Sequence, residues 1–247
     1  MLKQFAGIYE KLKRADQNIR NLDRELRLFI KRGRYSVVPE NKREITLKAI
    51  HYHKKRRIPP RFPVLAGEII HHLRSCLDHI AWHFSLRSYR KDPAKSKSIM
   101  FPICDKEPVD KNGVSCFDGK VKGIAKAKAR KLILKFQPYK TPDPTDDLLS
   151  ILHHFDIVDK HRELVVCLSS GARKLPAKDE PLIESYKRAH PELTPAQIAF
   201  KFKGYGKLVP QVSFRDFGRR PIQPVIPGLI ELRDNVARVI AEFAKLL

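Results

Sequence analysis

The sequence has few cysteines, and their spacing fits neither a metal-binding motif nor a dense disulfide framework. Cys76, Cys104, Cys116 and Cys167 lie far apart, and no CxxC pair occurs. This spacing excludes a zinc ribbon and favours a reducing compartment. The sequence also lacks a glycine-rich phosphate loop, so nucleotide hydrolysis is not indicated.

Long apolar runs are missing as well. No apolar stretch approaches the length of a membrane-spanning helix, and charged residues interrupt the apolar positions at the N-terminus, which is unlike a secretory signal. The basic residues are spread along the chain rather than gathered beside an apolar anchor, so a membrane surface is disfavoured as a partner. We therefore expect a cytoplasmic protein that does not bind membranes.

Acidic residues are scarce. The 247 residues include 27 Asp and Glu against 50 Lys and Arg, which gives a formal net charge of +23. Adaptation to heat usually raises Glu together with Lys, so it does not explain this imbalance. A large positive excess attracts polyanions, and nucleic acid, with RNA favoured, is the expected partner. The candidate nucleic-acid-binding residues are Lys54, Lys55, Arg56, Arg57, Lys122, Lys126, Arg130, Lys131 and Arg162.

The apolar pattern predicts an α+β fold that is mainly α, with about five helices and a small sheet in one domain over residues 1–247. From Phe5 to Phe29, apolar residues recur at steps of three and four, as in a helix that packs lengthwise on another. This stripe fits a homodimer and fits packing inside one subunit. Further helices are predicted over residues 64–87, 120–136, 146–166 and 228–247, strands over residues 164–168 and 208–217, a β-hairpin near residues 35–53, and a polar insertion near residues 171–207.

The helix predicted over residues 64–87 has an unusual polar face. The chain has no lysine between Lys55 and Lys91, although solvent-exposed helix faces in a lysine-rich protein normally carry it. This helix instead places side chains that bind and titrate in two adjacent rows. One row holds His71, Arg74 and Asp78, and the other holds His72, Ser75, His79 and Trp82 or His83.

The helix predicted over residues 146–166 has a similar polar face. Asp156 and Lys160 are one turn apart, and His154 and His161 lie two turns apart on one face. The spacings of Asp156 to Lys160 and of Arg74 to Asp78 also fit intrahelical ion pairs without any function. Both interpretations stay open from the sequence.

Two segments carry a family resemblance. GEIIHHLRSCLDHIAW and the later DIVDKHREL resemble segments of a group of uncharacterised bacterial proteins. Arg74 and His79 also match the R-x4-6-H motif of the HEPN (higher eukaryotes and prokaryotes nucleotide-binding) superfamily, while Ser75 stands where many of its nucleases carry Asn, Asp or His. The resemblance implies a helical bundle and metal-independent ribonuclease activity, often in a dimer, with Arg74 and His79 catalytic.

In such a nuclease the ribose 2′-OH would attack the adjacent phosphate. His79 would take the proton and Arg74 would stabilise the phosphorane. The bond from phosphorus to the 5′-oxygen then breaks, which gives a 2′,3′-cyclic phosphate and a 5′-hydroxyl and requires no cofactor or metal. Asp78 and His161 are expected in supporting roles.

Two other classes stay open. One is a metal-dependent hydrolase that resembles DinB-type bundles and uses histidine and aspartate residues of two helices. The other is a nucleic-acid-binding or partner-binding protein without catalysis. The sequence also leaves open whether a protein partner such as an antitoxin exists.

Overall fold

A computed structural model gives the arrangement of most of the chain. It describes residues 3–33, 58–161, 164, 166–172, 185–186, 188–191, 208–215, 217–218 and 223–247. The predicted hairpin near residues 35–53 lies outside the described residues, as does most of the polar insertion near residues 171–207. Lys54, Lys55, Arg56, Arg57 and Arg162 also lie outside them.

The fold is mainly helical with a small sheet, which confirms the predicted α+β class. The five longer helices are α1 (Ala6–Gly33), α2 (Arg61–Phe84), α6 (Ala127–Lys135), α7 (Leu148–His161) and α8 (Val225–Ala244). Three short helices are α3 (Arg87–Lys91), α4 (Pro93–Ser96) and α5 (Phe117–Val121). Strands β1 (Val166–Ala172), β2 (Leu208–Phe214) and β3 (Gln223–Pro224) form a sheet in the order β1-β2-β3.

Contacts divide the chain into two compact units. One comprises Met1–Arg24, Pro60–Val166 and Phe214–Leu247, and the other comprises Glu25–Pro59 and Cys167–Ser213. The interpretation of residues 1–247 as one domain stays a prediction. All of the site residues discussed below belong to the first unit.

Helices α2, α7 and α8 pack against one another and form the centre of this unit. Each buries an apolar stripe, because apolar residues at helical spacing fall on one face. The predicted stripe of α8 is buried at every position, namely Leu229, Leu232, Val236, Val239, Ile240 and Phe243. In the α1 stripe, the apolar side chains from Phe5 to Leu26 are buried within the subunit except Leu12, which is half-buried. The periodicity of α1 therefore does not require a second chain.

The helix predicted over residues 120–136 is wrong, because the chain forms two helices there. Between α5 and α6 it runs alongside the end of α2, where Leu86 N–H donates to Gly123 O at 2.8 Å and Ala125 N–H donates to Phe84 O at 2.7 Å. A Cβ at residue 123 would lie 2.8 Å from the Tyr89 ring, so the close approach needs glycine. These contacts interrupt the helix.

The N-terminal cap of α7 is Asp147, which accepts hydrogen bonds from the N–H groups of Leu149 and Ser150. Asp143 accepts from both the N–H and the hydroxyl of Thr145 in the preceding turn. Helix α7 therefore begins two residues later than predicted, and it ends at His161 rather than near residue 166.

The segment after α4 that begins at Phe101 is held by the buried polar side chain of Gln137. Gln137 accepts from Cys104 N–H at 3.1 Å and donates to Pro102 O at 2.9 Å. Phe101, which comes first in this segment, is buried and meets the ring of Phe243 with centroids 6.0 Å apart. The loop is thereby tied to the helical core.

No helix in the described part of the chain has an apolar stretch that would cross a lipid bilayer.

Candidate functional site

The two helices that the sequence singled out, α2 and α7, lie side by side. His71 of α2 approaches Asp156 of α7, and Gly67 of α2 lies against Asp159 of α7. Later residues of α2 therefore meet earlier residues of α7, which makes the two helices antiparallel. Their facing polar side chains form one candidate site, which we call the interhelical cluster and define as His71, Arg74, Asp78, His153, Asp156, Asp159 and Lys160.

Arg74 is the most enclosed cation of the interhelical cluster. Its side chain is only 6% exposed. Its Nη1 donates to Oδ1 of Asp78 at 2.7 Å, and its Nη2 donates to Phe101 O at 2.9 Å. Burial of a guanidinium is tolerated when it is paired and hydrogen-bonded in this way, so the observed contacts give Arg74 a structural role.

Asp78 completes the same arrangement. Its Oδ1 accepts from Phe101 N–H at 2.9 Å as well as from Arg74. The contact with Arg74 is the ion pair for which the i, i+4 spacing is suited. The same carboxylate oxygen also holds the Phe101 backbone. Asp78 thus holds the loop at Phe101 in place.

His79 lies on another side of α2. Five positions correspond to about 140° around a helix axis, which separates its side chain from that of Arg74. His79 is exposed. Partial burial of the ring and the nearby cation of Lys11 lower its pKa. The two residues of the R-x4-H motif therefore do not meet within this chain.

His161 is distant from both motif residues. It is exposed at the last position of α7. His153, whose pKa is lowered by burial and by the charge of Arg74, lies eight residues earlier, or about 12 Å along the helix. Asp159 contacts Gly67, which is about 18 Å along α2 from His79. The structure does not bring His161 to Arg74 and His79.

A carboxylate lies at the centre of the interhelical cluster. Asp156 is buried and accepts from Lys160 Nζ at 2.6 Å, which confirms the predicted pairing. Its Oδ1 lies 3.6 Å from Nδ1 of His71, whose side chain is 58% exposed. Burial and the negative charge of Asp156 raise the pKa of Asp159. The cluster thus presents one exposed imidazole and one exposed ammonium next to a buried carboxylate.

Sequence analysis did not single out His153, which is part of the interhelical cluster. Its Nδ1 is buried and has no hydrogen-bond partner among the described residues. The sequence did contain a signal for His153. Ser150, His153 and Asp156 recur every three residues along α7, and this face of the helix also carries the buried Leu149 and Leu152. Polar residues that interrupt an apolar face indicate a buried polar contact.

The described residues offer no grouping of three or more His, Cys, Asp or Glu side chains that could hold a metal ion. His79 and His83 are one turn apart on α2, but His83 packs edge-on against Phe5 and Phe84, with ring centroids 5.3 and 5.1 Å apart. The metal-dependent hydrolase therefore gains no support from this part of the chain.

A second candidate site is an exposed basic surface. Between Asp118 and Asp143 the chain carries no acidic residue. Every basic side chain of this stretch is exposed, and none makes an ion pair with a carboxylate in the described part of the chain. We call this the basic surface, and its members are Lys120, Lys122, Lys126, Lys128, Arg130, Lys131, Lys135 and Lys140.

Several basic residues elsewhere in the unit are paired with carboxylates. Lys13 pairs with Glu10 at 3.8 Å, and Lys95 pairs with Asp92 at 3.0 Å. Arg20 pairs with Asp16, and Lys245 pairs with Glu242. The basic surface carries eight exposed cations within residues 120–140 and no ion-paired carboxylate in the described part of the chain, and such charge attracts polyanions.

Comparison with protein-family models, curated proteins and solved structures gives no match to this chain. The resemblance to HEPN proteins therefore rests on the spacing of Arg74 and His79 in the sequence.

Proposed function

We propose that this protein binds nucleic acid, with RNA favoured, through the basic surface. The observation that carries the proposal is the run of exposed cations over residues 120–140 that have no carboxylate partner in the described part of the chain. Phosphate groups would release counterions on binding these cations, which favours association. The formal net charge of +23 adds long-range attraction.

The arrangement of α6 supports this proposal. Lys128, Lys131 and Lys135 are separated by three and four residues, so they lie along one face of the helix. Lys126 stays close to the body of the protein, because its Nζ donates to Leu246 O at 2.9 Å and lies 5.6 Å from the centre of the Phe84 ring. The cations thus belong to a folded surface.

The proposal is tested by the salt dependence of RNA affinity. A variant with Lys122, Lys128, Lys131 and Lys135 changed to Ala removes four charges of the basic surface. Each phosphate contact contributes roughly 0.7 to 0.9 to the slope of log K against log salt, so we expect the magnitude of the slope to fall by up to about 3.6. Fluorescence anisotropy with a labelled RNA measures both affinity and slope.

The matched control removes the same number of charges from ion-paired positions. It changes Lys13, Arg20, Lys95 and Lys245 to Ala, each of which has a carboxylate partner. We expect this control to bind nearly as tightly as the wild type. Equal weakening of both variants would show that affinity depends on total charge alone and would contradict the assignment to the basic surface.

RNA cleavage is a second candidate function, and the exposure of His79 favours it, because a ligand can reach the ring. Partial burial and the charge of Lys11 lower the pKa of this imidazole. Arg74 is already engaged by Asp78 and Phe101, so any stabilisation of the phosphorane would come from another cation.

Cleavage is tested by separating 2′,3′-cyclic phosphate products in the presence of EDTA. His79→Ala removes an exposed ring, so its fold should be intact and its products should disappear. Product formation at the wild-type rate in this variant would exclude His79 as the base. Arg74→Ala must be judged together with its unfolding curve, because the guanidinium is part of the core.

A further inference from the structure

Helix α2 carries an exposed aromatic row on the side where His79 lies. Trp82, the only tryptophan of the chain, is 44% exposed, and the exposed His79 precedes it by three residues. His72 lies two turns before His79 on the same side. The exposed Trp82 ring presents a flat apolar face to the solvent, whereas a lysine or a glutamate at this position would present a charged group.

Cations of α1 flank this row. Lys11 lowers the pKa of both His72 and His79, and Arg14 lowers the pKa of His72, in each case after burial as the larger cause. Neither Lys11 nor Arg14 pairs with a carboxylate in the described part of the chain. Positive charge and exposed aromatic rings therefore occur together.

The C-terminal end of α2 lies against the basic surface. Lys126 lies over the Phe84 ring. The pKa of His83 is lowered mainly by burial, and the charges of Arg90 and Lys126 lower it further. The hydrogen bonds from Leu86 to Gly123 and from Ala125 to Phe84 hold this part of the basic surface against the end of α2. The basic surface therefore lies beside the last turn of α2, to which Trp82 also belongs.

Resting on the proposed function, we propose that Trp82 stacks on an unpaired base and that the ligand is single-stranded RNA. The flat faces of the bases are accessible in a single strand but are covered by neighbouring pairs in a duplex. Stacking on an aromatic side chain changes affinity by roughly five- to 150-fold per base. His79 would lie one turn away, where its ring can contact the next base or a phosphate.

The single tryptophan makes the proposal directly measurable. Titration with single-stranded RNA should change the Trp82 fluorescence, whereas a duplex of the same sequence should leave it unchanged. Trp82→Ala should weaken binding of the single strand by roughly five- to 150-fold and leave duplex binding and the salt slope unchanged. Trp82→Phe should retain most of the affinity, because it keeps an aromatic face.

Val64→Ala is the matched control, because Val64 is an apolar residue of α2 that is 55% exposed near the other end of the helix. It should bind as the wild type does. Full single-strand affinity in Trp82→Ala would overturn the stacking proposal while leaving salt-dependent binding intact. Absence of salt-dependent binding in the wild type would contradict the proposed function itself.

A second copy of the chain is the competing occupant of this row. Sedimentation at several protein concentrations distinguishes it from RNA. A dimer that Trp82→Ala abolishes, without any change in RNA affinity, would also overturn the stacking proposal.

Discussion

Arg74 and Asp78 bind the two hydrogen-bonding groups of one residue. The guanidinium donates to the carbonyl oxygen of Phe101, and the carboxylate accepts from its N–H, both at 2.9 Å. The 2.7 Å contact between the two side chains closes the arrangement. One turn of α2 thereby satisfies a loop residue whose own side chain is fully buried.

We expect Arg74→Ala to destabilise the protein by about 2–3 kcal/mol. The change leaves the Phe101 carbonyl and Asp78 without their partner, and the partial exposure of Asp78 moderates the loss. Urea unfolding followed by circular dichroism measures the difference. The exposed His79→Ala serves as the control, with a change within about 0.5 kcal/mol. Wild-type stability in Arg74→Ala would show that this arrangement contributes little.

Gly67→Ala should stabilise the protein less than Gly7→Ala. A Cβ at residue 67 would lie 1.9 Å from Oδ1 of Asp159, so the Asp159 side chain must move to another rotamer, which offsets the helix propensity that alanine adds. Nothing lies within 4 Å of a Cβ at residue 7, so alanine there should stabilise α1 by up to about 1 kcal/mol. Thermal unfolding of the two variants tests the difference, and equal effects would contradict the close contact at Gly67.

Stability should decrease as the pH falls below about 6.5. Burial, followed by the charge of Arg74, lowers the pKa of His153 from 6.5. Between that lowered pKa and 6.5 the unfolded chain binds more protons than the folded chain, so the free energy of unfolding rises with pH. The pKa values of His72, His79 and His83, lowered mainly by burial, act in the same direction.

Substitution isolates the contribution of His153. Urea midpoints of the wild type and His153→Gln, compared from about pH 7.5 to about pH 5, should converge in acid as the wild type loses stability. Burial raises the pKa values of Asp147 and Asp159 above 3.8, so these two groups lower the free energy of unfolding as the pH rises above about 3.8. This effect begins at a lower pH than that of the histidines, and it is the same in both proteins. Parallel curves would show that His153 does not contribute.

The thiols of Cys76 and Cys116 should react with iodoacetamide at very different rates. Cys76 is fully buried and donates to Ile8 O at 3.6 Å, and burial raises its pKa to about 12. Cys116 is exposed. Since the thiolate is the reactive form, native protein should be labelled at Cys116 and protected at Cys76. Mass spectrometry of the digest detects this difference, and adding urea should remove it.

Much of the helical framework could be predicted from the sequence, because apolar spacing directly reflects burial on one face. The stripes of α1 and α8 are examples. The break between α5 and α6 was not predictable, since it depends on hydrogen bonds with Phe84 and Leu86, which are distant in sequence. The start of α7 was misplaced because several aspartates precede it, and only geometry shows that Asp147 provides the cap.

The candidate site could be predicted in part. Residue types identified α2 and α7 as the helices with an unusual polar face, and the i, i+4 pairs of Arg74 with Asp78 and of Asp156 with Lys160 followed from spacing. Spacing could not show that Arg74 donates a hydrogen bond to Phe101 O in a loop, because the two residues are 27 positions apart in the sequence. It also could not show which polar row faces α7 and which faces Lys11.

The separation of Arg74 from His79 around α2 implies that the two halves of the motif differ in their tolerance of substitution. In a library randomised at both positions, variants selected only for folding should retain arginine at residue 74 and admit many side chains at residue 79. Selection for RNA binding or cleavage would then reduce the variety of side chains at residue 79 without changing the preference for arginine at residue 74. Sequencing the two selected pools would thus distinguish a requirement of the core from a requirement of the ligand.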